Sequence, residues 1–263
     1  YGRTVVRVLR TRRPAGPEER LVFVIGSPRS GTTFLGESLG AQPGFIDLGE
    51  VTPLKAVVPS LVAGEQEAAR RIRQILERVR VLAFARGLRA VEQTPELSFL
   101  VGAALRAYPQ ARAVHIVRDG RDVVSSLLEQ GWLRASREES DDAGLRYGPH
   151  ARFWVEPDRA QEFRSASEAR RAAWAWRRYV SAARRSTERT LEIRYEALVA
   201  DPEVTAGRLA SFLGSDPGPL ADALAGAHGR SVGRWRSALS DDQLADIERE
   251  AGPLLEELGY PKA

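Results

Sequence analysis

Cysteine is absent from this chain of 263 residues. That excludes a disulfide framework, a thiolate nucleophile and a cysteine zinc site. Methionine is absent too, an odd gap in a chain this long. Lysine is nearly absent: only Lys55 and Lys262 occur, and the remaining positive charge is arginine. The net charge is only +4, and no basic stripe is interleaved with aromatics, so nucleic acid is not an expected partner. The arginine excess is compositional, since alanine is abundant as well; function can rest only on particular arginines. The three histidines, His115, His150 and His228, have no metal-ligand spacing, so no metal site is expected. No apolar run is long enough to span a bilayer, and no charged-then-apolar leader precedes the first apolar strand. A cytoplasmic protein is the expectation. Tyr1 is not a natural start, which leaves room for an upstream piece.

What is present is concentrated in Leu21 to Thr33, LVFVIGSPRSGTT. Five apolar residues run into Gly26, a short loop follows, and Gly31-Thr32-Thr33 opens a helical apolar pattern at Phe34, Leu35 and Leu39. This reads as a strand, a tight turn and a helix start. The first N–H groups of a helix have no partner within it and carry about half a positive charge, so they attract phosphate or sulfate. Gly26-x-x-x-x-Gly31 has Walker A spacing, but Thr32 stands where the nucleotide-triphosphate lysine would be. The cation has moved into the loop as Arg29.

The rest of the chain alternates strands and helices. Residues 65–86 are amphipathic. Ala111 to Val117 reads as a second buried strand, ending at Arg118-Asp119-Gly120 and followed by a helix that stops at Gly131. Residues 134–165 have no sustained period and read as a long insertion. A helix is expected over 168–186, a third strand over Leu191–Tyr195, and helix starts at Asp201-Pro202 and at the capping box Ser240-x-x-Gln243. The predicted fold is α/β: one domain over 1–263, three-layered and P-loop-like, with a central mainly parallel sheet and helices on both faces. In such sheets ligands sit beyond the carboxyl ends of the strands. The loops Ser27–Thr33 and Arg118–Ser126 should therefore open on one edge and hold two ends of one anionic ligand.

These residues resemble the sulfotransferases that use 3′-phosphoadenosine 5′-phosphosulfate (PAPS). Pro28-Arg29-Ser30-Gly31-Thr32-Thr33 fits the family's 5′-phosphosulfate loop throughout. Arg118 and Ser126 have the separation of its 3′-phosphate pair. The resemblance continues through Glu92-Gln93-Thr94-Pro95, through Tyr195 and through VGRWRSALS, and covers most of 21–260. It implies that Arg29, Ser30, Gly31, Thr32, Thr33, Arg118, Ser126, Tyr195 and Arg234 bind PAPS, without a metal. Around the general base the likeness is to tyrosylprotein sulfotransferases and some bacterial members. Glu50 in DLGEVTP stands at the matching distance from Arg29, and Arg29 shares the catalytic role. One position departs: Gln93 stands where relatives often carry a lysine that touches the sulfuryl group, and Lys55 is the candidate replacement. The implied reaction moves a sulfuryl group to a hydroxyl of a carbohydrate, lipid or small natural product, with residues 134–165 on the acceptor side.

Other readings stay open. A phosphotransferase would bind ATP with magnesium, and a non-catalytic relative would bind the nucleotide without transfer. Tyr195 can equally be core, Arg234 solvated charge, and Arg118 a structural partner of Asp122. Trp132, Tyr147, Phe153, Trp154 and Phe163 either line an acceptor pocket or pack the insertion down.

Overall fold

The run Leu21–Ile25 is apolar at every position because both of its faces are covered, as in a central parallel strand. In the computed structural model Leu21, Phe23 and Ile25 pack into one core cluster while Val22 and Val24 join another on the opposite face. The structure describes residues 21–82, 87–134, 153, 155, 157–186 and 188–262, with the backbone alone for 59–63 and 157. Residues 1–20 and most of 134–156, with His150, Tyr147 and Trp154, lie outside these residues.

Five strands, β1 (Val22–Ile25), β2 (Phe45–Asp47), β3 (Arg89–Glu92), β4 (Arg112–Val117) and β5 (Thr190–Arg194), form one sheet in the order β2-β3-β1-β4-β5. All four pairings are parallel. The helices are α1 (Thr32–Gly40), α2 (Glu65–Leu82), α3 (Leu97–Ala107), α4 (Gly120–Gln130), α5 (Ala160–Ser165), α6 (Glu168–Arg184), α7 (Tyr195–Ala200), α8 (Pro202–Leu213), α9 (Pro217–Leu224), α10 (Trp235–Ala238) and α11 (Asp241–Glu257). Residues of α2 and α3 cover one face of β1, and residues of α1, α8 and α9 cover the other. A third cluster joins α4, α6 and α11. Among the described residues no helix is long and apolar enough to cross a membrane.

The chain leaves β1 toward β3 and β2, then returns to place β4 on the other side. The reversal falls between β1 and β4, and a crevice outside the strand ends is expected there. The two anion-loop candidates follow these two strands.

Two short strands, β2 and β3, went unseen in the sequence, being only three and four residues long. Residues 160–165 are helical, against the expectation of an irregular stretch; Phe163 is fully buried, its ring 5.6 Å from Trp174. Phe153 is likewise buried, edge-on to Tyr179. These two aromatics pack their segment down. Tyr195 opens α7 instead of closing β5, and α11 runs through Pro253.

Candidate functional site

The loop after β1 is shaped by two left-handed residues. Arg29 has φ 71° and Gly31 φ 97°. At Gly31 a Cβ would stand 2.8 Å from the Tyr195 ring, so only glycine fits. For Arg29 the left-handed conformation costs roughly 1–2 kcal/mol, a strain held at the turn where the side chain emerges. Gly31 is the N-cap of α1 and no side chain caps this helix. The hydroxyl of Ser30 is buried with no hydrogen-bond partner. Thr32 is buried and Thr33 exposed. Unspent donors at a helix start, next to an exposed arginine, suit a phosphate or sulfate oxygen.

The start of α4 differs. Its N-cap Asp119 accepts the Arg121 N–H at 2.9 Å and forms a buried ion pair with the Arg121 guanidinium. That helix start is spent on its own carboxylate. The cation at this strand end is Arg118, only 7% exposed. Its guanidinium donates to the carbonyl of Arg29 at 3.1 Å and to the carbonyl of Ser231. It lies 4.9 Å over the Tyr195 ring, and its Nε is buried without a partner. The backbone here is clamped too: the Trp176 indole donates to the Arg118 carbonyl at 3.1 Å, and the Asp119 N–H donates to Glu196 at 2.8 Å.

Arg118 does not pair with Asp122, which corrects one sequence reading. Asp122 accepts the Gly233 N–H at 2.8 Å and the Trp235 N–H at 3.0 Å, docking the segment that presents Ser231. The Arg29 Nε donates to the Ser126 hydroxyl at 3.0 Å, and its guanidinium lies 5.8 Å from the Trp132 ring. So Arg29, Arg118, Ser126, Gly31 and Tyr195 come together at the β1/β4 crevice. Arg234 is paired with Glu129, one turn beyond Ser126. The Tyr195 hydroxyl donates to the His228 carbonyl at 3.2 Å, so its ring is a support for Arg118 and Gly31.

The other side of the crevice carries the acidic candidates. Glu50 follows β2, is exposed, and faces Lys55 at 4.0 Å. Lys55 is itself 12% exposed and acts electrostatically on the buried Glu96. Gln93 is buried against Gly36, with its side-chain oxygen unpartnered. Burial pushes Glu92 up to about 8, despite the bonds it accepts from Thr94 and Val51. It raises Glu96 as well, and the Tyr179 hydroxyl donates to that carboxyl at 3.0 Å. Sequence reasoning missed Trp176, Glu196 and Asp122 as holders of the Arg118 loop. The one available signal was polar groups beside or facing that loop.

A cavity of about 690 Å³ opens at the opposite end of the sheet, with Arg89, Arg112 and Arg189 in its lining. Arg89 and Arg189 donate there to carbonyl oxygens around the ends of α8 and α3. They satisfy helix ends there.

A sequence model described as the sulfotransferase family matches residues 60–217, a stretch that includes Arg118 and Ser126 and begins after the Arg29 loop. A search of curated proteins gave no match. Among solved structures, the sulfotransferase domain from the curacin biosynthetic pathway is 16% identical with TM-score 0.59, covering 93% of this chain and 99% of that one. The sulfotransferase domain from the Synechococcus PCC 7002 olefin synthase is 17% identical with TM-score 0.58, covering 95% and 98%. A mouse sulfotransferase complexed with PAP is 16% identical with TM-score 0.52, covering 92% and 90%. At these identities the likeness is one of fold.

Asp122→Ala removes the acceptor for the buried Trp235 N–H and the half-buried Gly233 N–H. It should lower stability by about 1–3 kcal/mol and speed amide hydrogen exchange at Gly233 and Trp235. Unchanged exchange at both amides would mean that the segment is held by something else.

Proposed function

This chain belongs to the sulfotransferase family, and from that premise we propose that it uses PAPS to sulfate a hydroxyl of a carbohydrate, lipid or small natural product. The observation that carries this reading is the bond from the Arg118 guanidinium to the Arg29 carbonyl. It brings the Arg29 and Arg118 loops to one crevice, which supports reading them as holders of the two anionic ends of one nucleotide.

The residues fit such a ligand on three local grounds. Among the described residues, no side chain caps the start of α1, and the buried Ser30 hydroxyl and Arg118 Nε meet no hydrogen-bond partner. Bound PAPS would supply an electrophilic sulfur and a bisphosphate leaving group. Glu50 takes the proton of the acceptor hydroxyl, a task worth about 10²–10⁴ in rate. Arg29, Ser30 and the N–H groups of Gly31, Thr32 and Thr33 hold charge that builds on the phosphosulfate end. Arg118 and Ser126 hold the 3′-phosphate. Tyr195 fixes the plane of the Arg118 guanidinium from below. The bond from the Arg29 Nε to the Ser126 hydroxyl ties the two loops together at this point. Lys55, beside Glu50, supplies the charge that Gln93 lacks.

The acceptor side is the aromatic edge at Trp132 together with residues 134–165. Trp132 is the aromatic within reach of Arg29 among the described residues, so an apolar acceptor body with one exposed hydroxyl suits it.

Two measurements test the assignment. Glu50→Gln should cut kcat by about 10²–10⁴ while donor affinity holds; near-normal turnover in a folded variant removes Glu50 from the role. Arg118→Ala should weaken adenosine 3′,5′-bisphosphate by roughly 10–100-fold, as loss of a charge-assisted pair does, and adenosine 5′-phosphate much less. Equal losses for both ligands contradict the 3′-phosphate role.

A further inference from the structure

The end of β3 holds a carboxyl group that the reading above leaves unused. Glu92 has no exposed surface. Its Oε1 accepts the Thr94 N–H at 2.9 Å, the Val51 N–H at 3.3 Å and the Thr94 hydroxyl. Its Oε2 is sealed from solvent and meets no hydrogen-bond donor among the described residues.

Val51 directly follows Glu50. Three bonds fasten this loop to the end of β3. The Leu48 N–H donates to the Val91 carbonyl at 2.8 Å, the Gln93 N–H donates to the Gly49 carbonyl at 3.4 Å, and the Val51 N–H donates to Glu92. The first two are backbone pairs open to any sequence. The third needs this side chain, and it alone lies on the C-terminal side of Glu50. It joins the burial of Val51 in the core and the Lys55 pair in holding the C-terminal side of the candidate base.

The charged and titratable groups around this spot are Glu50 from the loop after β2, Lys55 from the turn at 52–63, Glu96 at the start of α3 and Tyr179 of α6. From β2, the Asp47 carboxylate accepts the Gly49 N–H at 2.9 Å. A carboxylate with one oxygen sealed in apolar surroundings is a costly form, and protonation relieves it. Burial dominates at Glu92, and the nearby Glu50 acts in the same direction.

This inference rests on the reading of Glu50 as base. We propose that Glu92 is the positioning residue for Glu50. It anchors the Val51 amide so that Glu50 stays at the sheet edge, and it adds no second negative charge to a site built for an anionic donor. Above pH about 8 Glu92 ionises beside Glu50, and the added charge opposes an anionic ligand at the same edge. The stability linkage has a fixed sign. With the folded value raised, the contribution of Glu92 is fully present below its unfolded value of 4.5 and is lost as pH rises toward about 8.

The test uses Glu92→Gln, which removes the titration, and Glu92→Ala, which removes the tether. In the unaltered protein kcat/KM and affinity for adenosine 3′,5′-bisphosphate should both fall above pH about 8; Glu92→Gln should flatten both curves. Its melting temperature should also fall less between pH 4.5 and 8 than that of the unaltered protein. Glu92→Ala should speed amide hydrogen exchange at Val51 and lower kcat by roughly tenfold or more with donor KM little changed. Glu92→Gln should restore slow exchange. An alkaline fall that survives in Glu92→Gln, or unchanged Val51 exchange in Glu92→Ala, overturns the proposal. If the alanine variant does not fold, the pH curves of the glutamine variant decide. A protein that binds no bisphosphate at any pH sinks the PAPS reading instead, and Val51 exchange still judges Glu92.

Discussion

A guanidinium taken out of water must find acceptors close by. Arg118 is nearly buried, and it finds them in the carbonyls of Arg29 and Ser231. Those two carbonyls belong to the loop after β1 and to the segment before α10. One buried cation therefore joins three chain regions that are far apart in sequence. Its own position is set by Trp176 and Glu196 on the backbone and by the Tyr195 ring beneath. The geometry of the crevice follows from this knot. Arg29 can stand in a left-handed conformation at an exposed turn because the carbonyl beside it is held.

The crevice is electrically divided. On the β1/β4 side lie an uncapped helix start and two arginines. On the β2/β3 side lie Glu50, Glu92 and Glu96, with one lysine among them. Three full negative charges beside a phosphosulfate would repel it. Burial raises both Glu92 and Glu96 above the usual carboxylate range, which lessens the negative charge that this acid-rich wall sets beside the proposed anion site.

Much of this was legible in the sequence because it is local. The anion loop, the strand-to-helix turns, the separation of Arg118 and Ser126, and the capping box at Ser240 are all set within about ten residues. The apolar run of β1 announced a strand covered on both faces. The bond from Arg29 to Ser126 and the docking of Gly233 and Trp235 on Asp122 join residues about a hundred apart, and no periodicity encodes them. β2 and β3 were missed because three or four residues cannot display a pattern. A pair between Arg118 and Asp122 stood open as one alternative because neighbours in sequence invite it. In the fold, carbonyls from distant loops reach the guanidinium, and Asp122 turns to backbone amides.

The central claim is that Arg29 and Arg118 hold the two ends of one adenine nucleotide. Calorimetric titration in EDTA with adenosine 3′,5′-bisphosphate, set against ATP with magnesium in a parallel experiment, tests it most directly. The account predicts one-to-one binding of the bisphosphate, at least about tenfold tighter than ATP with magnesium, as one well-placed charged pair would give. Tight magnesium-dependent binding of ATP with no heat from the bisphosphate would contradict it.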